Sequence, residues 1–310
     1  MKNNRIILAG IACIALSLSA TAHAASDGPA AIEEKDVVSG KVKLDPAAGY
    51  LLVSGVVRQF GMFLRVPDDE SRAAWEKDRQ AAFTKEHKRY ESAMVTWRGD
   101  VAVAKTTKSK PPAEPVEPKI ETFVHEPLEL RDLAGFGPMF VYAKGETISY
   151  LERVKPGTYI WYGNVMGGNG LPAGGLCMCL GSVRFEVKPG VVTNLGNALQ
   201  TLPHWGEDMD VQRLEAKQAA EKRAAAGKEP ARTIELGAPA YPVPATLKDW
   251  PMAQPEFHAS PKMNNYFGII ISRLSPIPGV LAYHRDMVVD ERTGQELASP
   301  TLVSRQKPKL

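Results

Sequence analysis

Two Lys-Pro-Gly segments, Lys155-Pro156-Gly157 and Lys188-Pro189-Gly190, constrain the folding of this chain more than any other feature. Proline presets φ for the first central position of a turn, and the glycine after it supplies the positive φ of a type II turn. Both sit beside apolar runs of strand length. Val183, Phe185 and Val187 alternate with Arg184, Glu186 and Lys188, the period of a half-buried strand. Thr158 to Val165 is apolar on both parities (Tyr159, Trp161 and Val165 on one, Ile160 and Tyr162 on the other), which predicts an inner strand. Short apolar runs punctuated by tight turns predict a mainly β chain.

Residues 1–24 read as a secretory signal peptide. Lys2 and Arg5 give a basic start, Ile6 to Ser19 an apolar core, and Ala22-His23-Ala24 a small-x-small cleavage site before Ala25. Lipidation of Cys13 is disfavoured, because Gly10 stands where a bulky aliphatic is usual and the apolar run continues past the cysteine. No other run approaches the ~20 apolar residues of a membrane span, so no transmembrane segment is expected in the mature chain. Without Lys2 and Arg5, the 38 basic and 35 acidic residues come close to balance. That argues against nucleic acid as a partner. The expected location is the periplasm or the outer envelope.

Residues 25–36 are expected to be a flexible leader, and 37–290 a β-sandwich domain with insertions. Val37 to Val66 reads as strands. Residues 68–99 are dense in Ala, Glu, Lys, Arg and Gln, lack proline and open on carboxylates, which predicts a helix ending at Gly99 as its C′ glycine. At roughly 28 residues it would be about 42 Å long. Trp75, Phe83, Tyr90, Met94 and Trp97 fall on one face of it. Such a stripe needs a cover, either the chain's own body or a partner: another envelope protein, or a second copy in self-association. Residues 106–118 form a Pro-rich linker, and helix and linker together read as an insertion between strands. A second helix is expected over 208–226, then a proline-rich wrap to 261, strands to about 290, and a frayed tail over 291–310.

Cys177-Met178-Cys179, set among glycines, is the one local cluster of reactive side chains, and three readings of it stand. A disulfide suits an oxidising compartment and is preferred. On an extended strand the two Cα atoms would lie about 6.6 to 6.8 Å apart, at the upper edge of disulfide geometry, so the chain would have to kink. Two thiolates and the Met178 thioether could instead hold Cu(I). Buried thiols are the third reading. The histidines lack ligand spacing, no G-x-S-x-G elbow is present, and Gly163 to Gly170 lacks the ending of a phosphate loop. A non-catalytic binding or scaffolding protein is therefore expected, with no cofactor. The alternatives are a soft-metal or redox protein using copper at Cys177, Met178 and Cys179, and a hydrolase whose site forms only in three dimensions.

The pattern V-K-P-G-T-Y, C-M-C-L-G-S-V-R-F-E-V-K-P-G and N-L-G resembles secreted or lipoprotein-type β-sandwich proteins of Gram-negative bacteria, of the carboxypeptidase-regulatory or prealbumin type. The resemblance covers about forty residues, with a weaker echo in P-I-P-G-V-L-A-Y-H-R-D-M-V-V-D. It implies an antiparallel sandwich and supplies no site residues.

Overall fold

A computed structural model of the chain describes residues 29–168, 171–201, 218, 221–227 and 239–299. In chain order the first elements are β1 (Ala30–Ile32), α1 (Glu34–Val38), β2 (Gly49–Gly55), β3 (Gly61–Arg65) and α2 (Asp69–Thr107). Then come β4 (Leu133–Phe136), β5 (Ala143–Lys144), β6 (Ile148–Val154), β7 (Gly157–Gly168), β8 (Leu171–Cys177), β9 (Ser182–Val187) and β10 (Val192–Gly196). Last are α3 (Ala198–Thr201), β11 (Met252–Ala253), β12 (His258–Ser260), β13 (Ile270–Ile271), β14 (Leu281–His284), β15 (Met287–Asp290) and β16 (Gln295–Leu297). The chain is mainly β, with three sheets and one long helix among the described residues.

The first sheet runs β1-β6-β2-β10-β11, with β5 also on β6. The second runs β12-β9-β7-β3-β4, with β8 on the far half of β7 and β13 on β8. The third is the meander β14-β15-β16. Most pairs are antiparallel; β2–β10, β10–β11 and β8–β13 are parallel. Both Lys-Pro-Gly segments turn out to be corners between sheets. The first carries the chain from β6 into β7, and the second returns it from β9 to β10.

Strand alternation sets the layers. Leu51, Val53, Tyr150 and Val154 of the first sheet share one buried cluster with Phe63, Trp161 and Phe185 of the second. Tyr50, Leu52, Leu151 and Val192 point the other way, where Trp250 and Met252 cover them. Leu64, Tyr162 and Val165 form a third cluster on the outer face of the second sheet. This is why Thr158 to Val165 is apolar on both parities.

Several expectations are corrected or fall outside. The leader is not loose throughout: β1 pairs with β6 and buries Ile32. The tail is not wholly frayed, because β16 pairs with β15. The signal peptide lies outside the described residues, as do residues 25–28 of the leader, residues 300–310, and residues 230–238 of the wrap. Of the second helix, only 218 and 221–227 are described; 221–225 are helical and Gly227 has a φ of 64°. From 239 to 261 the chain is mostly irregular, with one 3-10 turn at Ala245–Leu247 before β11. Among the described residues no helix is long and apolar enough to cross a membrane.

Gly61, opposite Phe136 on β4, shows how tightly the core closes. A Cβ there would run into the Trp161 ring and against Phe136. The next pair is different: at Gly135, opposite Met62, a Cβ would meet only the Gly61 carbonyl oxygen at 3.6 Å. Gly61→Ala should therefore lower stability by about 1–3 kcal/mol through overpacking. Gly135→Ala should stay within about 0.5 kcal/mol of the wild type. Denaturant unfolding of both variants checks this, and equal effects would refute the packing argument.

Candidate functional site

The long helix is an insertion in a hairpin. β3 and β4 pair antiparallel, Leu64 opposite Leu133, and the Arg65 amide donates to the Asp132 carbonyl at 3.3 Å. The chain leaves this hairpin at Val66, makes α2, returns, and re-enters two neighbouring strands. Asp68 caps α2 by accepting from the Ser71 amide at 2.8 Å, with Asp69 and Glu70 in the first turn. At 39 residues the helix is about 58 Å long.

The predicted stop at Gly99 fails: α2 continues to Thr107, and Lys108, in the left-handed conformation, caps it by donating to the Ala104 carbonyl. A glycine inside a helix costs about 1 kcal/mol. Val101 and Ala104 extend the half-buried stripe beyond it and offset that loss.

Trp75, Phe83, Tyr90, Met94 and Trp97 do lie on one face, all half-buried, and the cover is the chain itself. Residues 108–127 run back along the helix. Trp97 Nε1 donates to the Pro112 carbonyl at 3.0 Å, and Trp75 Nε1 to the Glu126 carbonyl at 2.7 Å. Between them His87 faces Glu117 at 3.7 Å, Arg79 donates to the Ile120 carbonyl, and Phe83 meets Phe123 edge-on at 5.6 Å. From Trp97 to Trp75 the helix rises about 33 Å, and the extended limb from 112 to 126 is somewhat longer. A 3-10 turn at Ile120–Thr122 takes up the slack. The expected linker is thus the second leg of an arm, and the stripe is its internal seam.

Cys177 closes β8 and Cys179 begins the turn into β9. Their Cα atoms are 5.2 Å apart and their sulfurs at bonding distance, so the chain does kink between them. Both are fully buried beside Leu64, Tyr162 and Met263. Met178 points the opposite way, into the cluster shared by the two larger sheets. The three sulfur donors do not converge, and the copper reading loses its third ligand to strand alternation. Among the described residues no group of three or more His, Cys, Asp or Glu side chains gathers to hold a metal.

A different residue stands out. Glu152 shares a strand parity with Tyr150 and Val154 on β6 and so faces the second sheet, where it is 4% exposed. Among the described residues, no hydrogen-bond or ion-pair partner meets its carboxyl. It lines a cavity of about 380 Å³ between the β1–β6 margin of one sheet and the β3–β4 margin of the other. The other described lining residues are apolar or glycine in their side chains, among them Met62, Leu133, Phe136 and Val165. At the rim Phe140 is 60% and Met166 54% exposed. Burial alone pushes the carboxyl up to about 8, so it is protonated at neutral pH.

Comparison with protein-family models, curated proteins and solved structures finds no match to this chain. Glu152 was missed in the sequence because both parities of Ile148 to Val154 carry one charge, Glu152 on one and Arg153 on the other. Alternation alone could not say which charge was inside.

The raised pKa makes a signed prediction. Between about pH 4.3, where an exposed glutamate titrates, and about 8, the folded chain holds a proton that the unfolded chain has released. Wild-type stability therefore falls relative to Glu152→Gln as pH rises through that window, then the gap levels off at a few kcal/mol. Paired denaturation series across that range check it; a constant gap rejects the burial argument.

Proposed function

We propose that this chain is an exported, non-catalytic protein of the cell envelope, a β-sandwich body whose helical arm binds or scaffolds another envelope component or a second copy of itself. The sandwich reading rests on the two larger sheets sharing one buried cluster. Export rests on the signal-type residues 1–24 and on two cysteines close enough to bond.

The observation that carries the binding reading is the arm's attachment. It leaves and re-enters one β-hairpin and uses its aromatic seam on its own returning leg. What it adds is reach. Val95 and Val103 on α2, and Val116 and Val124 on the return, remain exposed along its length and offer apolar contacts to a partner.

Two measurements test this. Intact mass of the exported protein, alkylated with and without reductant, should give a chain beginning at Ala25 that takes up alkylating agent only after reduction. Free thiols without reductant would reject the disulfide, and a retained N-terminus would reject cleavage. In the second, residues 67–130 are replaced by a short hairpin turn. The body should keep a cooperative unfolding transition, while crosslinks formed in intact cells by the full chain disappear. The binding reading fails if the full chain yields only uncrosslinked monomer.

A further inference from the structure

The Glu152 cavity is separate from the arm, and neither the seam nor the cystine explains it. A carboxyl this buried is ordinarily paired or hydrogen-bonded, because a polar group taken out of water without a partner loses its hydration and gains nothing in return. Here the described residues supply no partner. The cavity walls from β1, β3, β4 and β7 carry no ionisable side chain. Arg153, the next residue on β6, lies on the opposite strand face. Arg58 donates instead to the Pro138 carbonyl at 3.0 Å, beyond the Gly137 wall. The Arg65 guanidinium is taken up by Asp68 and Asp132. Apolar side chains, one acidic group among the described residues and a mouth edged by Phe140 and Met166 make up the chemistry of a ligand pocket.

We infer that this cavity is a binding site for a small amphiphile bearing one ammonium group, with its alkyl or aryl body against Met62, Phe136 and Val165 and its nitrogen on the Glu152 carboxyl. Charge complementarity fixes the class. An anionic head would face an acid with no compensating cation. A neutral hydroxyl would satisfy the carboxyl's hydrogen bonds but gain no ion pair. The ammonium also accounts for the proton: at neutral pH the empty site holds a protonated carboxyl, and binding leaves an ammonium–carboxylate pair while one proton passes to the buffer. Phe140 and Met166 at the rim, the latter a flexible thioether, can close over apolar bodies of different shape.

The test uses the full mature chain and three probes of equal chain length: n-octylammonium, n-octanol and octanoate. Titration calorimetry should give octylammonium about tenfold or more tighter than octanol, with octanoate weakest. Repeating it in buffers of different ionisation enthalpy should reveal up to one proton released per octylammonium bound at neutral pH. Glu152→Gln, which keeps size and hydrogen bonding, should bind octanol as before, lose the ammonium preference and release no proton. Phe140→Ser, at an exposed rim position that folding does not need, should weaken octylammonium and octanol alike. Equal affinities for octylammonium and octanol in the wild type would overturn the proposal, as would a preference that survives Glu152→Gln. Absence of binding by all three probes would overturn it too, whatever the arm experiment gives.

Discussion

The guanidinium of Arg65 is buried at the last position of β3, where three other stretches of chain meet that strand, and it bonds to each of the three. Its Nε donates to the Pro156 carbonyl of the first sheet-to-sheet corner at 2.9 Å. Nη1 reaches Ser71 Oγ at 3.1 Å and Asp132 Oδ2 at 3.2 Å, and Nη2 reaches Asp68 Oδ2 at 2.5 Å. Ser71 Oγ in turn donates to Asp132 at 2.6 Å. The corner, the helix cap and the re-entry to β4 are thereby held in one network. A buried guanidinium is expensive to desolvate and persists only where its hydrogen bonds are met, as they are here. The Arg65 guanidinium and the Ser71 amide hold the Asp68 carboxyl well below the usual carboxylate range. Its contribution is therefore present above about pH 3.9, the exposed value, and is lost as acid protonates it. Asp68 is 44% exposed, so solvent screening keeps that contribution modest.

Features legible in the sequence were those encoded by neighbours along the chain. Pro-Gly turns, the alternation of Val183, Phe185 and Val187, and the change of composition at Asp68 all act over a few residues, and each has its counterpart in the structure. The seam of the arm was half legible. The aromatic stripe could be read from a helical wheel, but its partners are largely backbone carbonyls at Pro112, Ile120 and Glu126, which composition does not reveal. Gly99 misled because a helix stop depends on whether the buried face continues, and Val101 and Ala104 continue it.

One rule accounts for the two other surprises. Side chains two apart on a strand share a face and adjacent ones do not. At Cys177-Met178-Cys179 this joins the cysteines and sends the methionine to the other side of the sheet. At Tyr150-Leu151-Glu152 it places an acid beside a tyrosine of the inner face. Neither assignment follows from residue types, because facing is decided by pairing with strands far away in sequence: β2 for Glu152, β13 for Cys177.

The placement of the arm inside a hairpin also bears on the order in which the chain can fold. Leu64 and Leu133 pair directly, yet the segment between them is longer than an ordinary hairpin turn by roughly four doublings, each worth about 0.6 kcal/mol of closure entropy. Local closure of the arm removes most of that disadvantage. Trp97 and Pro112 are 15 residues apart and Trp75 and Glu126 are 51, so contacts can form in sequence from the tip towards the base. Each step shortens the loop left for the next, until Arg65 and Asp132 are neighbours before the sheet exists. On this route the arm is the clasp that brings the two edges of the body's β3–β4 hairpin into register.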